Sequence, residues 1–260
     1  MGKIEFTPMM KRYLLKFTFR ICVFCGVLGL YLFSEVSLWD LANQPVVYGI
    51  TPMHVLWVAF MVIMLSHIFP GTFRTMALKK ADKETYRENT GYGELDMLRF
   101  VQDQNRKAWV VMLVWLFGNG VIGFFYLIGI LDRSDLLVFT VFFFLCDYIC
   151  ILIFCPFQTC IMKNKCCVNC RIYDWGHFMM FTPMLFIPNF YSWSLFFTAC
   201  VVLIRWEIVY AAHPERFWSG SSRTLQCSHC KDKTCQIKKK IVGTGKRAGK
   251  CAGKSNNPQY

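Results

Sequence analysis

Six stretches of this chain are apolar over about the length that crosses a ~30 Å hydrocarbon layer as a helix: 17–37, 53–70, 108–131, 135–161, 174–190 and 192–213. No other feature restricts the fold as strongly. Lipid offers no partner to a backbone N–H or C=O, so a spanning segment must be a helix or part of a closed barrel. Runs such as VVMLVWLF at 110–117 and VFTVFFFLCDYICILIFC at 138–155 lack the in–out alternation of a barrel strand. The expected fold is therefore all-α, a polytopic membrane helical bundle with six transmembrane helices. The fifth stretch is the irregular one. It contains Pro183 and Pro188, and a short turn at 189–192 separates it from the sixth, so a re-entrant hairpin over 177–200 competes with a full crossing.

The cations set the orientation. Of the 29 Lys and Arg residues, five lie in 1–20, eight in 71–107, three in 162–176 and eleven in 214–260. Short loops rich in Lys and Arg stay on the cytoplasmic side. Six crossings put all four groups and both termini in the cytosol, whereas five would strand one basic terminus outside. The N-terminal basic flank followed by ICVFCGVLGLYLF has no small-residue cleavage site after it, which predicts an uncleaved signal anchor. These features predict an integral protein of the cytoplasmic (plasma) membrane.

Three regions follow: a membrane domain over 1–213, a cysteine-rich cytosolic segment over 214–236, and a basic tail over 237–260. Within the first, Leu95, Leu98, Phe100 and Val101 lie at helical spacing, predicting an amphipathic helix over 94–107 that runs along the interface into the third span. The tail KKKIVGTGKRAGKCAGKSNNPQY is rich in Lys and Gly and has too little apolar surface to offset the entropy of ordering it. Such a tail is expected to be disordered and to meet anionic lipid headgroups. It lacks the interleaved aromatics of a nucleic-acid stacking surface.

The 14 cysteines concentrate in or beside the basic stretches and include three Cys-x-x-Cys pairs: Cys22/Cys25, Cys167/Cys170 and Cys227/Cys230. None falls in an expected outer loop, and thiols facing a reducing compartment are ligands, redox groups or apolar filler rather than a disulfide framework. The hairpin of spans five and six returns CSHCKDKTC to the side of KNKCCVNCR. Cys167, Cys170, Cys227 and Cys230 then form a four-thiolate candidate for zinc or an iron–sulfur cluster, with Cys166, Cys235 and His229 in reserve. Cys22 and Cys25 form a possible redox pair, for which apolar packing in a helix is the competing reading.

Intramembrane charges are costly and are usually paired. Asp147 and Arg205 fall at matching depth in spans four and six, which predicts an intramembrane ion pair. Gly118, Gly120 and Gly123 match a dinucleotide-binding string, but they sit mid-span with no acidic residue about 20 positions on, so close helix packing is expected instead. The leading functional expectation is a membrane redox or electron-transfer component with a cysteine-ligated metal, acting with a membrane redox partner or as a homo-oligomer. The alternatives are a non-enzymatic assembly protein tied by structural zinc, and a small transporter using Asp147 and Arg205.

Overall fold

The computed structural model describes residues 7–238, except 47, 70–74, 90, 165, 168 and 231, and gives the backbone alone for Met76. The tail from 239 onward, with Cys251, lies outside the described residues, as do Lys165 and Lys231. The described residues are all-helical, and among them four helices are long and apolar enough to cross a membrane: α1 (Pro8–Phe33), α5 (Glu94–Leu127), α6 (Arg133–Leu152) and α8 (Phe190–Ala212). Between α1 and α5 lie α2 (Leu38–Asn43), α3 (Pro52–Ile68) and α4 (Met76–Lys79), and α7 (Gly176–Phe181) precedes α8. At 17 residues, α3 is apolar but somewhat short of a bilayer, about 26 Å at ~1.5 Å per residue.

Local chemistry sets the boundaries. Thr7 caps α1 through Met10 N at 3.2 Å, with Pro8 as its first residue. Capping boxes start α3 (Thr51 with His54) and α6 (Asp132 with Asp135), each worth about 1 kcal/mol. The α6 helix stops at Leu152, short of the expected end at 161. Pro156 has no N–H to return to the Leu152 carbonyl and disfavours helical backbone at Cys155. The chain resumes as a π-helical turn over Phe157–Ile161.

The helix expected over 94–107 is the first part of α5, continuous with the apolar stretch. The fifth stretch is not a continuous helix. It is built from a 3-10 turn over Arg171–Trp175, then α7, then a second 3-10 turn over Thr182–Phe186.

That broken segment is the core of the bundle. Phe178, Met180, Phe181, Met184 and Ile187 are buried among residues of α3, α6 and α8. Irregular backbone is tolerated at membrane depth where protein rather than lipid surrounds it, and the packing meets that condition. Phe186 lies so close to Gly123 of α5 that a Cβ there would stand 2.2 Å from its ring, whereas Gly118 and Gly120 face open space. Of the glycine string, the third residue is the one required for packing. Trp115 Nε1 also donates to Thr182 Oγ1 at 3.1 Å.

At one end of the bundle, three polar segments that are distant in sequence form a single cap. Asn89 N donates to the Ser221 carbonyl and Arg223 N to the Arg87 carbonyl, both at 2.9 Å. Asn89 Nδ2 reaches the Gly220 carbonyl at 2.8 Å. The loop before α5 and the segment after α8, expected as separate appendages, are thus hydrogen-bonded to one another over the residues between α6 and α7.

Candidate functional site: thiols in the polar cap

The break after α6 creates the site. Pro156 redirects the chain so that Gln158, which is buried, points its backbone N–H at Cys155 Sγ at 3.3 Å. The Cys150 thiol, in the last turn of α6, acts on the same sulfur. That interaction, helped by the N–H groups of Gln158 and Phe157, holds the Cys155 thiol below its ordinary value against the effect of burial. Gln158 also links a second sulfur: its Oε1 accepts from Cys167 Sγ at 3.0 Å, and its Nε2 donates to the Asn164 carbonyl at 3.0 Å.

Lys238 closes this arrangement from the C-terminal segment. Its ammonium donates to the Cys150 carbonyl at 2.6 Å, Gln158 Oε1 at 2.8 Å and Cys167 Sγ at 2.7 Å. An ammonium has three donors, and here all three are used. Residues 235–238 form a helical turn, so Lys238 belongs to the cap rather than to the tail expected from 237. Burial pushes the Cys167 thiol up, with Lys238 opposing.

Cys170 stands apart. Its thiol is buried and pushed up to about 12 by desolvation, while its carbonyl accepts from Lys80 Nζ at 2.5 Å. Lys80 lies under the rings of Trp206 and Phe217, at 5.3 and 5.4 Å. Desolvation lowers its ammonium to about 8.

The expected four-thiolate set is spread out. Cys167 faces Gln158 and Lys238, and Cys170 lies by Lys80. Cys227 is exposed, and Cys230 packs with Cys166 on the small cluster of Ala77 and Leu225. His229 is exposed and contacts Ser228 Oγ at 3.0 Å. Cys235 is half-buried on the turn that carries Lys238. Among the described residues, no group of three or more His, Cys, Asp or Glu is placed to hold a metal ion. Cys22 and Cys25 are exposed on α1.

Asp147 and Arg205 do not pair with each other. Asp147 Oδ2 accepts from Arg20 Nη1 of α1 at 2.7 Å, and the guanidinium sits 4.0 Å from the rings of both Phe144 and Tyr148. Arg205 Nη1 donates to the His67 carbonyl at 2.6 Å, and His67 Nδ1 meets Asp174 Oδ1 at 2.7 Å. Depth along two helices is one coordinate. The faces they present are another, and α6 turns Asp147 toward α1. Gly176 makes room for that carboxylate, since a Cβ there would lie 2.9 Å from Asp147 Oδ1.

Sequence reasoning takes Cys150 as a packing residue, sets Cys155 beside the Cys-x-x-Cys pairs without a role, and places Lys238 in the tail. The Cys155-Pro156 step was the available signal for the first, because a proline after an apolar run marks a helix end where a thiol meets free backbone N–H groups. For Lys238 no local signal exists. No protein-family model matches the chain, and neither a curated protein nor a solved structure matches it.

Proposed function

We propose that this chain is a multi-pass protein of the cytoplasmic membrane whose cytosolic cap carries a dithiol redox centre formed by Cys150 and Cys155. In this reading α1, α3, α5, α6, the broken segment and α8 make six crossings, both termini are cytosolic, and the basic run beyond 238 meets anionic headgroups of the same leaflet. The clustering of Lys and Arg on one side supports that orientation.

The observation that carries the redox reading is a Cys155 sulfur that accepts the Gln158 N–H at 3.3 Å and is lowered by the neighbouring Cys150 thiol. Such a sulfur is a thiolate poised for attack, with its resolving thiol in contact. Toward an external disulfide, the Cys155 thiolate attacks one sulfur and expels a thiolate. Cys150, giving up its proton, then attacks Cys155 Sγ and expels the second. One disulfide forms in the cap and one is cleaved in the partner, whose two sulfurs leave with the two electrons as one thiolate and one thiol, the latter carrying the Cys150 proton.

The test is oxidation of full-length protein with glutathione disulfide, followed by differential alkylation and mass spectrometry. A Cys150 to Cys155 disulfide is expected, absent in Cys155→Ser. Oxidation confined to other cysteines would sink the proposal. A second reading, a metal tie between the two cysteine-rich segments, is supported by Cys166 and Cys230 sharing the Ala77 and Leu225 cluster. One equivalent of zinc, or iron with sulfide, after anaerobic purification would favour it.

A further inference from the structure

Where α5 and α8 enter the cap they enclose a pocket of about 410 Å³, lined by Asn105, Trp109, Arg171, Glu207, Tyr210 and Pro214 among others. Its volume is that of a small-ligand site, and its charges are layered. Arg171 is buried, donates to Asn105 Oδ1 and Glu207 Oε2, and lies 4.1 Å from the Tyr210 ring. Glu207, whose Oε1 also accepts from Trp175 Nε1 at 2.9 Å, keeps 30% of its side chain accessible. The reachable charge is therefore a carboxylate, backed by a cation that a ligand does not displace.

Two donors accompany it. A guanidinium only donates, so Asn105 turns its carbonyl oxygen to Arg171 and leaves its Nδ2 amide for a ligand. Behind it, Arg171 Nε and Tyr210 Oη are buried without a hydrogen-bond partner among the described residues. Trp109 is exposed at the pocket edge. From there an apolar stripe continues at helical spacing through Leu113 and Phe117 on α5, and Ile204 and Ile208 are likewise exposed on α8.

We propose that this pocket binds one phospholipid with a primary-amine zwitterionic headgroup, of phosphatidylethanolamine type. The ammonium sits on Glu207 and the face of Trp109, the phosphate takes Asn105 Nδ2, and the acyl chains lie along the apolar stripe. An anionic headgroup without an amine would set its phosphate against the Glu207 carboxylate uncompensated. A choline headgroup offers Glu207 no N–H. This site is independent of the thiol chemistry.

The test uses full-length protein reconstituted in nanodiscs containing equal shares of phosphatidylethanolamine, phosphatidylglycerol and phosphatidylcholine, then released for native mass spectrometry. One retained phosphatidylethanolamine is expected, with about tenfold preference, the scale of one charge-assisted contact. Trp109→Ala, an exposed change that leaves the fold intact, and Glu207→Gln, which keeps an acceptor for Trp175, should both lose the preference. Free phosphoethanolamine should not displace the lipid, because the acyl chains hold it. Retention without headgroup preference, preference for phosphatidylglycerol, displacement by the free headgroup, or an unchanged preference in Trp109→Ala would each overturn the proposal.

Discussion

The same motif occurs in two regions that treat it differently. On α1, Cys22 and Cys25 are exposed on a helix whose membrane stretch is almost wholly unburied. In the cap, Cys167 and Cys170 are enclosed, one contacting Lys238 and Gln158 and the other lying by Lys80. The Cys-x-x-Cys spacing is the same in both places. Nearby donors make a sulfur reactive, and those that lower Cys155 are the adjacent Cys150, Gln158 and Phe157, with Lys238 adding its charge from the C-terminal segment. Cys155 belongs to no Cys-x-x-Cys pair.

What α1 contributes is its charge rather than its thiols. Arg20 is the partner of Asp147, and removing one member of an enclosed pair leaves the other uncompensated. Arg20→Met should therefore destabilise the purified protein by about 3–5 kcal/mol, seen as a large drop in unfolding midpoint. Combining it with Asp147→Leu should recover most of the loss. An undiminished midpoint in Arg20→Met would show that α1 is as dispensable as its exposed face suggests.

The cap should respond to pH in a way that α1 cannot. The unfolded chain holds the Lys80 proton to 10.5 and the folded chain only to about 8. Between those values the unfolded state binds more protons, so stability rises with pH; below about 8 the cost of burying the ammonium is fully present. Cys170 acts oppositely: its thiol ionises at 9.0 when unfolded and at about 12 when folded, so stability falls across that range. Unfolding midpoints should climb from about pH 8 to 9, by roughly 1 kcal/mol, and then level off. Lys80→Met should abolish the climb and expose the decline. A flat profile in the parent protein would mean that the lysine is not enclosed as described.

The smallest effect belongs to the exposed pair on α1. Replacing Cys22 and Cys25 together with Ser should change stability by less than about 0.5 kcal/mol. It should also leave the oxidation pattern of Cys150 and Cys155 unchanged. Loss of that disulfide would join the two regions into one redox path and end the contrast drawn between them.

The all-helical, membrane-type fold was legible in the chain because lipid imposes a length and a polarity that any reader of the sequence can measure. The helix break at Pro156, which the expected span to 161 runs through, and the caps at Thr7, Thr51 and Asp132 rest on neighbours in sequence, whereas the glycine packing expected within 118–123 is realised at Gly123 by the distant Phe186. Partner choice was not legible. Asp147 with Arg20, Arg205 with His67, and Lys238 with Cys167 are set by which helix faces meet and by how three loops stack, and those depend on packing across the whole bundle. The irregular core from 171 to 186 shows the limit most clearly. Its prolines announce a break, but its burial is decided by α3, α5, α6 and α8 around it, since only protein can satisfy an interrupted backbone inside a membrane.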